Sequence, residues 1–203
     1  MYFTAFFPFF LLLVIYALRG PSQWAIATGI ACFFQSATPI LVLAGGRVAG
    51  LAPAYSLLFV GLWHVYWLMR ARTRLNARRF EFPQATWWLF SFTVIGIAGA
   101  VLWPRFFEGW VRALPSREGL GSGFVEPVRP SGTNYIQAFY LLCNFLLFAI
   151  SAYALQIRVV SREVFLKGIA LGAVTSVLIG IYQLVAYHFG LPWPSGIINS
   201  NVG

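Results

Sequence analysis

Four arginines between residues 104 and 134 are the residues of this chain whose type and spacing best suit binding chemistry. They are Arg105, Arg112, Arg117 and Arg129, and three glutamates accompany them in the same segment. A guanidinium group can hold a phosphate or a diphosphate through two parallel hydrogen bonds. The segment therefore predicts a site for a phosphate-bearing ligand. Ordinary anionic lipid headgroups and the neighbouring glutamates are the alternative partners for these arginines.

Other side chains that commonly carry chemistry are few. The sequence has no Asp, and His64 and His188 stand alone, so no spacing in it suits a metal cluster. His64 falls inside an apolar run, where a histidine is either a functional group or a hydrogen-bonding partner of a neighbouring helix. Gly119, Gly121 and Gly123 lack the Lys-Ser/Thr pair of a phosphate-binding loop, so they predict a flexible loop. These residues predict no catalytic group, metal or cofactor.

The composition indicates which kind of element carries these side chains. Of the 203 residues, 60% are hydrophobic and only 9% are charged. Soluble domains carry about 25% charged residues, so this chain has too few to cover a water-facing surface. The composition therefore excludes an ordinary soluble enzyme and a disordered chain. The formal net charge of +9 indicates basic loops beside a membrane rather than nucleic-acid binding.

Six apolar runs are long enough to cross a membrane, because a spanning helix needs about 17–25 residues. They cover residues 2–18, 24–44, 51–69, 86–103, 135–157 and 166–189. The predicted fold class is therefore all-α, a single domain built as a polytopic transmembrane bundle of about six spans. The glycine-rich residues 45–50 predict a tight turn between the second and third spans.

The distribution of basic residues predicts the orientation of the spans. Nine of the fourteen basic residues are Arg19, five arginines in 70–85 and three residues in 158–167. The positive-inside rule places these segments in the cytoplasm. The segments on the outer side are then both chain ends together with 45–50, 104–134 and 190–203.

The external segment 104–134 also contains apolar residues at helical spacing. They predict a short interfacial helix that lies on the membrane surface and ends at Pro115. Its apolar face would consist of Phe106, Phe107, Trp110, Val111 and Leu114. Such a helix would hold the first arginines of the segment at the height of the lipid headgroups.

Two further patterns predict how the helices are placed. Tryptophans near the ends of the apolar runs indicate an aromatic belt at the membrane interfaces. These are Trp24, Trp67, Trp87, Trp88 and Trp103. Small residues at every fourth position of the last run predict a face that another helix can approach closely. These are Gly168, Gly172, Ser176 and Gly180.

Two stretches resemble segments of O-antigen ligase/polymerase-like membrane proteins. One is residues 130–144, where the pattern Ser-x-x-Asn-x-x-Gln begins at Ser131 and opens a helix. The other is residues 190–201, where Gly-Leu-Pro is followed by Asn199 and Asn201. The short loops, the basic cytoplasmic loop and the amphipathic external segment are similar to the plan of the same family.

This resemblance implies a bacterial inner-membrane glycosyltransferase of polysaccharide or lipopolysaccharide biosynthesis. Such an enzyme transfers or polymerises a glycan from undecaprenyl diphosphate on the periplasmic side, without a metal or another cofactor. By the resemblance, Arg112, Arg117 and Arg129 would contact the diphosphate, and Asn199 and Asn201 would lie near the glycan. The expected partners are the lipid-linked glycan and the lipid bilayer, with no nucleic acid.

Members of that family have more helices than this sequence predicts, so the chain is expected to be an N-terminal part of such a protein, truncated after residue 203. The alternative is a non-enzymatic membrane protein, such as part of a glycolipid flippase or exporter, or an assembly subunit. All charged residues fall in loops or at the edges of the apolar runs. Ion-coupled transporters and proton pumps normally need such residues within the membrane, which argues against those classes.

Overall fold

The computed structural model describes residues 2–34, 37–44, 47–72, 83–113, 126–127 and 129–193. Within these ranges the chain is mostly helical, with six α-helices and five short strands. The helices are α1 (Phe7–Leu18), α2 (Pro21–Ala31), α3 (Pro53–Arg72), α4 (Gln84–Phe106), α5 (Gly132–Gln156) and α6 (Arg162–Phe189). The strands are β1 (Tyr2–Phe3), β2 (Ile40–Ala44), β3 (Arg47–Leu51), β4 (Arg112–Ala113) and β5 (Glu126–Pro127).

Helices α4, α5 and α6 are the three described helices that are long and apolar enough to cross a membrane. They contain 23, 25 and 28 residues. At 1.5 Å per residue each is longer than the hydrocarbon core of about 30 Å. Most of their large apolar side chains are exposed in the isolated chain, as lipid-facing helices require. The chain is therefore a helical membrane protein in which three of the predicted spans are present as long apolar helices.

Helix α3 lies at the centre of the packing, in contact with α1, α2 and α5. Ala54, Leu57 and Val60 on this helix are buried. Its 20 residues include aromatic and polar side chains, and it is not among the candidate spans. The helix also exposes large side chains, among them Phe59, Trp63 and Tyr66.

Helices α1 and α2 form an antiparallel pair rather than two spans. They have 12 and 11 residues, about 16–18 Å in length, which is too short to cross the core of about 30 Å. Phe6, just before α1, stacks on Phe34, just after α2, with the ring centroids 6.1 Å apart. Pro21 begins α2, and the residue before a proline disfavours helix, so the helical run breaks there. The predicted span 24–44 is therefore wrong as a continuous helix, and the predicted span 2–18 is reduced to α1, which is too short to cross.

The ends of these two predicted spans instead form strands β1 and β2. Together with β3 they make a three-stranded antiparallel sheet with the order β1-β2-β3. In the hairpin, Ile40 pairs with Leu51 and Ala44 pairs with Arg47. Pro39 disfavours helix in the residue before it, and a two-residue connection is the usual length for a β-hairpin. A short apolar run fits a strand as well as a helix, which is why the sequence pattern failed here. The fold is predominantly helical but contains strands, so the all-α description holds only in part.

The sheet is tied to the neighbouring elements by side-chain hydrogen bonds. The hydroxyl of Thr4 donates to the carbonyl of Thr38 at 2.6 Å. The hydroxyl of Tyr140 on α5 donates to the carbonyl of Gly50 on β3. Open sheet edges do not occur in lipid, because their polar groups lack partners there. The contact with Tyr140 satisfies one carbonyl of the outer strand β3.

Candidate functional site

Helices α4 and α5 pack against each other, and an arginine joins them at one end. The guanidinium Nη2 of Arg105, at the end of α4, donates to the hydroxyl of Tyr135, near the start of α5, at 2.8 Å. Both side chains are exposed. This end of the helix pair is called the Arg105 end below. The hydrogen bond holds the Arg105 side chain against α5. The spacing of these two residues in the sequence does not predict this contact.

A two-stranded ribbon extends from the Arg105 end. Strand β4 follows α4 and strand β5 precedes α5, and Arg112 pairs with Pro127 in an antiparallel register. Arg129 stands two residues after Pro127 in the sequence. The pairing therefore places Arg112 opposite a residue that precedes Arg129 by two positions.

The side chains of Arg112 and Arg129 are exposed. Neither has an ion pair or a side-chain hydrogen bond to another residue in the described part of the chain. The alternative in which these arginines pair with neighbouring glutamates is not seen for Glu108, which is exposed and likewise unpaired within the same ranges. Within the described residues, these two guanidinium groups therefore contact no carboxylate.

The predicted interfacial helix over 106–114 does not form in the described residues. Helix α4 instead continues to Phe106, a turn follows, and the chain enters β4 at Arg112. Gly109 within this turn has a φ of +77°, a left-handed conformation that interrupts a right-handed helix. A helical spacing of apolar residues could not reveal this interruption.

The aromatic residues of that predicted helix are nevertheless exposed. Phe106 is 73% and Trp110 is 88% exposed, and Phe107 stacks on Trp103 with the ring centroids 5.4 Å apart. Aromatic side chains favour the headgroup region of a membrane, where their apolar body and polar edge are both accommodated. They are suitably placed to anchor the Arg105 end in a membrane surface.

The residues assigned to ligand binding from the sequence divide into two groups. Arg112 lies on the ribbon at the Arg105 end, and Arg129 follows its second strand by two residues. Arg117, Asn199 and Asn201 lie outside the described residues. The two groups cannot be related by geometry, so the last three residues stay sequence-based predictions.

The first resembling stretch, 130–144, begins helix α5 as predicted. Ser131 is the N-cap residue and Gly132 the first helical residue. The hydroxyl of Ser131 donates to the Asn134 side-chain oxygen at 3.2 Å. Ser and Asn favour helix starts because their short polar side chains bond locally. The polar pattern therefore has a local structural role at the start of α5.

The second resembling stretch, 190–201, is described only as far as residue 193. Gly190 ends α6 with a φ of +63°, the left-handed cap that glycine adopts most easily. The hydroxyl of Tyr182 donates to the carbonyl of Pro192 at 2.9 Å, and its ring lies 5.8 Å from that of Trp193. The start of this stretch therefore folds back onto the last turns of α6.

The histidine in the third predicted span proves to be a partner of a neighbouring helix. His64 Nε2 on α3 lies 2.9 Å from the carbonyl of Ala17 on α1. Because a carbonyl only accepts, Nε2 carries the proton in this bond. The described residues also contain no group of three or more metal-ligating side chains. No general base or metal ligand is thus identified among them.

Known protein families, curated proteins and solved structures offer no match to this chain. The chemistry of the Arg105 end therefore has to be argued from its own side chains. Three arginines lie toward this end of the helix pair, and guanidinium is a group that binds phosphate oxygens well.

Proposed function

We propose that this chain belongs to a bacterial inner-membrane glycosyltransferase that transfers or polymerises a glycan from undecaprenyl diphosphate at the periplasmic face. The observation that carries the proposal is that Arg105, Arg112 and Arg129, called the arginine cluster below, all lie toward the same end of the α4–α5 pair. The resemblance of residues 130–144 to O-antigen ligase/polymerase-like proteins supports the same class.

The reaction needs fixed positive charge where the donor lipid leaves the glycan. When the bond between the sugar carbon and the diphosphate oxygen breaks, its electron pair stays on the diphosphate and negative charge develops there. Donors that are positioned before the reaction stabilise such charge without reorganising. Arginine suits this role because it stays charged and matches the geometry of phosphate oxygens. Arg105 is already oriented by Tyr135.

The height of the cluster relative to the bilayer also suits a lipid-linked donor. The diphosphate of such a donor lies at the headgroup level, because its lipid tail is held in the hydrocarbon core. The exposed rings of Phe106 and Trp110 favour the same level. The arginines and the diphosphate would therefore meet without either leaving the membrane surface.

The test is glycan transfer in membranes that contain the intact protein and a radiolabelled undecaprenyl-diphosphate-linked glycan. Replacing Arg112 or Arg129 with Ala removes one charged contact with the diphosphate. A hydrogen bond to a charged group contributes about 1.5–3 kcal/mol, so we expect each variant to lose about tenfold or more of its transfer rate. The Arg112→Ala/Arg129→Ala double variant should lose more than either single variant.

Arg158→Ala is the matched control. Arg158 is exposed and lies in the connection between α5 and α6, at the opposite end of α5 from Tyr135. Its replacement should leave transfer unchanged. Equal transfer by the wild-type protein and the double variant, at equal protein level in the membrane, would rule out the proposed site.

A non-enzymatic carrier of the same lipid-linked glycan is the second candidate. It is favoured by one observation: within the described residues, no carboxylate or imidazole contacts the three arginines to act as a base. The same membranes separate the two candidates. Binding of the labelled donor that depends on Arg112 and Arg129, without any transfer to an acceptor, would support the carrier and exclude the enzyme.

A further inference from the structure

A groove lies at the end of α5 opposite to the Arg105 end. It is a groove of about 730 Å³ between the start of α4, the last turns of α5 and the start of α6. This volume falls within the range of small-molecule sites, about 300–1,000 Å³. The groove shares no residue with the arginine cluster, so its role is independent of the proposed function.

The walls of the groove divide into an apolar and a polar part. Phe148, Ala152 and Leu155 of α5 provide the apolar surface. Gln156 and Arg162 contribute polar groups where α5 ends and α6 begins. A ligand that fills the groove therefore needs an apolar portion beside α5 and a polar portion next to Arg162.

Arg162 is the charged residue of the groove lining, and it is unpaired within the described part of the chain. Arg162 is the first residue of α6, is exposed, and has no ion-pair or hydrogen-bond partner among the described residues. The N-terminus of a helix adds a partial positive charge of its own. Ser161 caps this terminus by accepting a hydrogen bond from the amide of Val164 at 3.4 Å. The neighbouring Glu163 is exposed and lies outside the groove lining.

Two tryptophans place the groove at a membrane surface. Trp87 and Trp88 lie in the first turns of α4, next to Pro83 of the groove, and are 60% and 71% exposed. Exposed tryptophans at the end of a spanning helix mark the headgroup level. The polar part of a ligand in this groove would therefore lie at the height of lipid phosphates.

We propose that the groove binds one anionic glycerophospholipid from the leaflet at this end of the bundle. The lipid phosphate accepts hydrogen bonds from Arg162, and an acyl chain lies along Phe148, Ala152 and Leu155. Basic pockets between membrane helices are suited to anionic headgroups, and burial of the chain against α5 contributes the hydrophobic part of the binding.

The test is native mass spectrometry of the purified full chain in detergent, titrated with phosphatidylglycerol. Phosphatidylcholine with the same acyl chains provides the comparison. We expect one phosphatidylglycerol to bind at least tenfold more tightly than phosphatidylcholine. Arg162→Gln should remove most of this preference, since it deletes a charged hydrogen-bond donor. Ala152→Trp, which fills the apolar part of the groove, should reduce binding of both lipids.

Arg158→Gln and Ala170→Trp are the matched controls, because both residues are exposed and neither lines the groove. Both should bind phosphatidylglycerol as the wild type does. Inorganic phosphate at millimolar concentration should not displace the lipid; displacement would favour a site for free phosphate and overturn the proposal. Undiminished preference for phosphatidylglycerol in Arg162→Gln, with unchanged circular dichroism, would overturn it as well.

Discussion

Trp24 is the residue at which helices α2, α3 and α6 meet. Its indole N–H donates to the carbonyl of Leu57 at 3.0 Å, and Phe165 lies edge-on to its ring at 6.1 Å between centroids. It is 1% exposed. A Cβ at Gly61 would lie 2.6 Å from the indole, so glycine is needed there to admit the ring. Trp24 is therefore a core residue, and its assignment to the interfacial belt was wrong.

Replacing Trp24 should destabilise the protein strongly. We expect Trp24→Ala to lower the free energy of unfolding by about 3–5 kcal/mol, the usual loss for a large buried aromatic residue. Trp88, 71% exposed, is the control, and Trp88→Ala should change the free energy by less than about 0.5 kcal/mol. Denaturation in detergent micelles, followed by circular dichroism, measures both. Equal losses in the two variants would contradict the core position of Trp24.

At the scale of elements, the contact between α2 and α6 depends on glycine. A Cβ at Gly29 would lie 2.7 Å from the backbone of Gly168, and a Cβ at Gly168 would lie 2.8 Å from the backbone of Ile26. Gly172 is similarly close to the backbone at Gly29 and to the ring of Phe33. The predicted small-residue face of the last span is thus confirmed at its first two positions. Gly180, further along, has open space beside it.

This difference gives a matched pair of substitutions on one helix. Gly168→Ala should destabilise the protein by about 1–3 kcal/mol, because the added methyl group forces the two backbones apart. Gly180→Ala should not lower the free energy of unfolding and can raise it by up to about 1 kcal/mol, because alanine favours helix more than glycine does. The same denaturation experiment in detergent compares them. A loss at Gly180 as large as that at Gly168 would show that helix propensity, rather than close approach, sets the effect.

At the scale of the whole molecule, the pair α1–α2 and the sheet leave the predicted sidedness of the later helices unchanged. Strand β1 precedes α1, β2 follows α2, and the two strands pair directly. The chain therefore returns to the side on which it started before it enters α3. Two spans would have had the same result, so the orientation of α4, α5 and α6 stays a prediction that depends on the positive-inside rule. Arg19, in the turn between α1 and α2, no longer counts as a residue of a cytoplasmic loop.

The orientation itself is tested by cysteine labelling. In a background with Cys32 and Cys143 replaced by Ala, a single cysteine is introduced as Glu108→Cys or as Arg158→Cys, both at exposed positions. Helix α5 separates the two positions, so they should lie on opposite sides. By the positive-inside rule, an impermeant maleimide should label residue 108 in intact cells and residue 158 only after permeabilisation.

Labelling of both cysteines from the same side would contradict a membrane crossing by α5. The reverse pattern, with residue 158 labelled in intact cells, would keep the crossing but overturn the predicted orientation and the periplasmic position of the arginine cluster.

The long helices were predictable because their signal is local and repeated. The predicted spans 86–103, 135–157 and 166–189 correspond to α4, α5 and α6 with ends shifted by a few residues. Burial in lipid requires an apolar residue at almost every position of a spanning helix, so composition alone reveals it. The length of the apolar run gave a wrong prediction for residues 24–44, because a short helix and a strand lie in the same run.

The candidate site was predictable only in part, for a different reason. The sequence identified arginines suited to phosphate, because a guanidinium group carries its charge and geometry wherever it stands. It could not show that Arg105 bonds to Tyr135 or that Arg112 pairs with Pro127, two residues before Arg129. Those relations depend on a chain reversal in which two distant segments pair.

The sequence by itself determined that this protein belongs in a membrane and which segments are the long apolar helices, and it predicts phosphate binding by the arginines of residues 104–134. These properties follow from side-chain chemistry summed over neighbouring residues. Only the tertiary structure decided that α1 and α2 form a short hairpin, that Trp24 lies in the core and that three arginines occupy one end of the α4–α5 pair. Each of these outcomes depends on which segments, distant in the sequence, pack against one another. The free energy of that packing is the sum of many contacts between segments, so no single segment of the sequence reveals it.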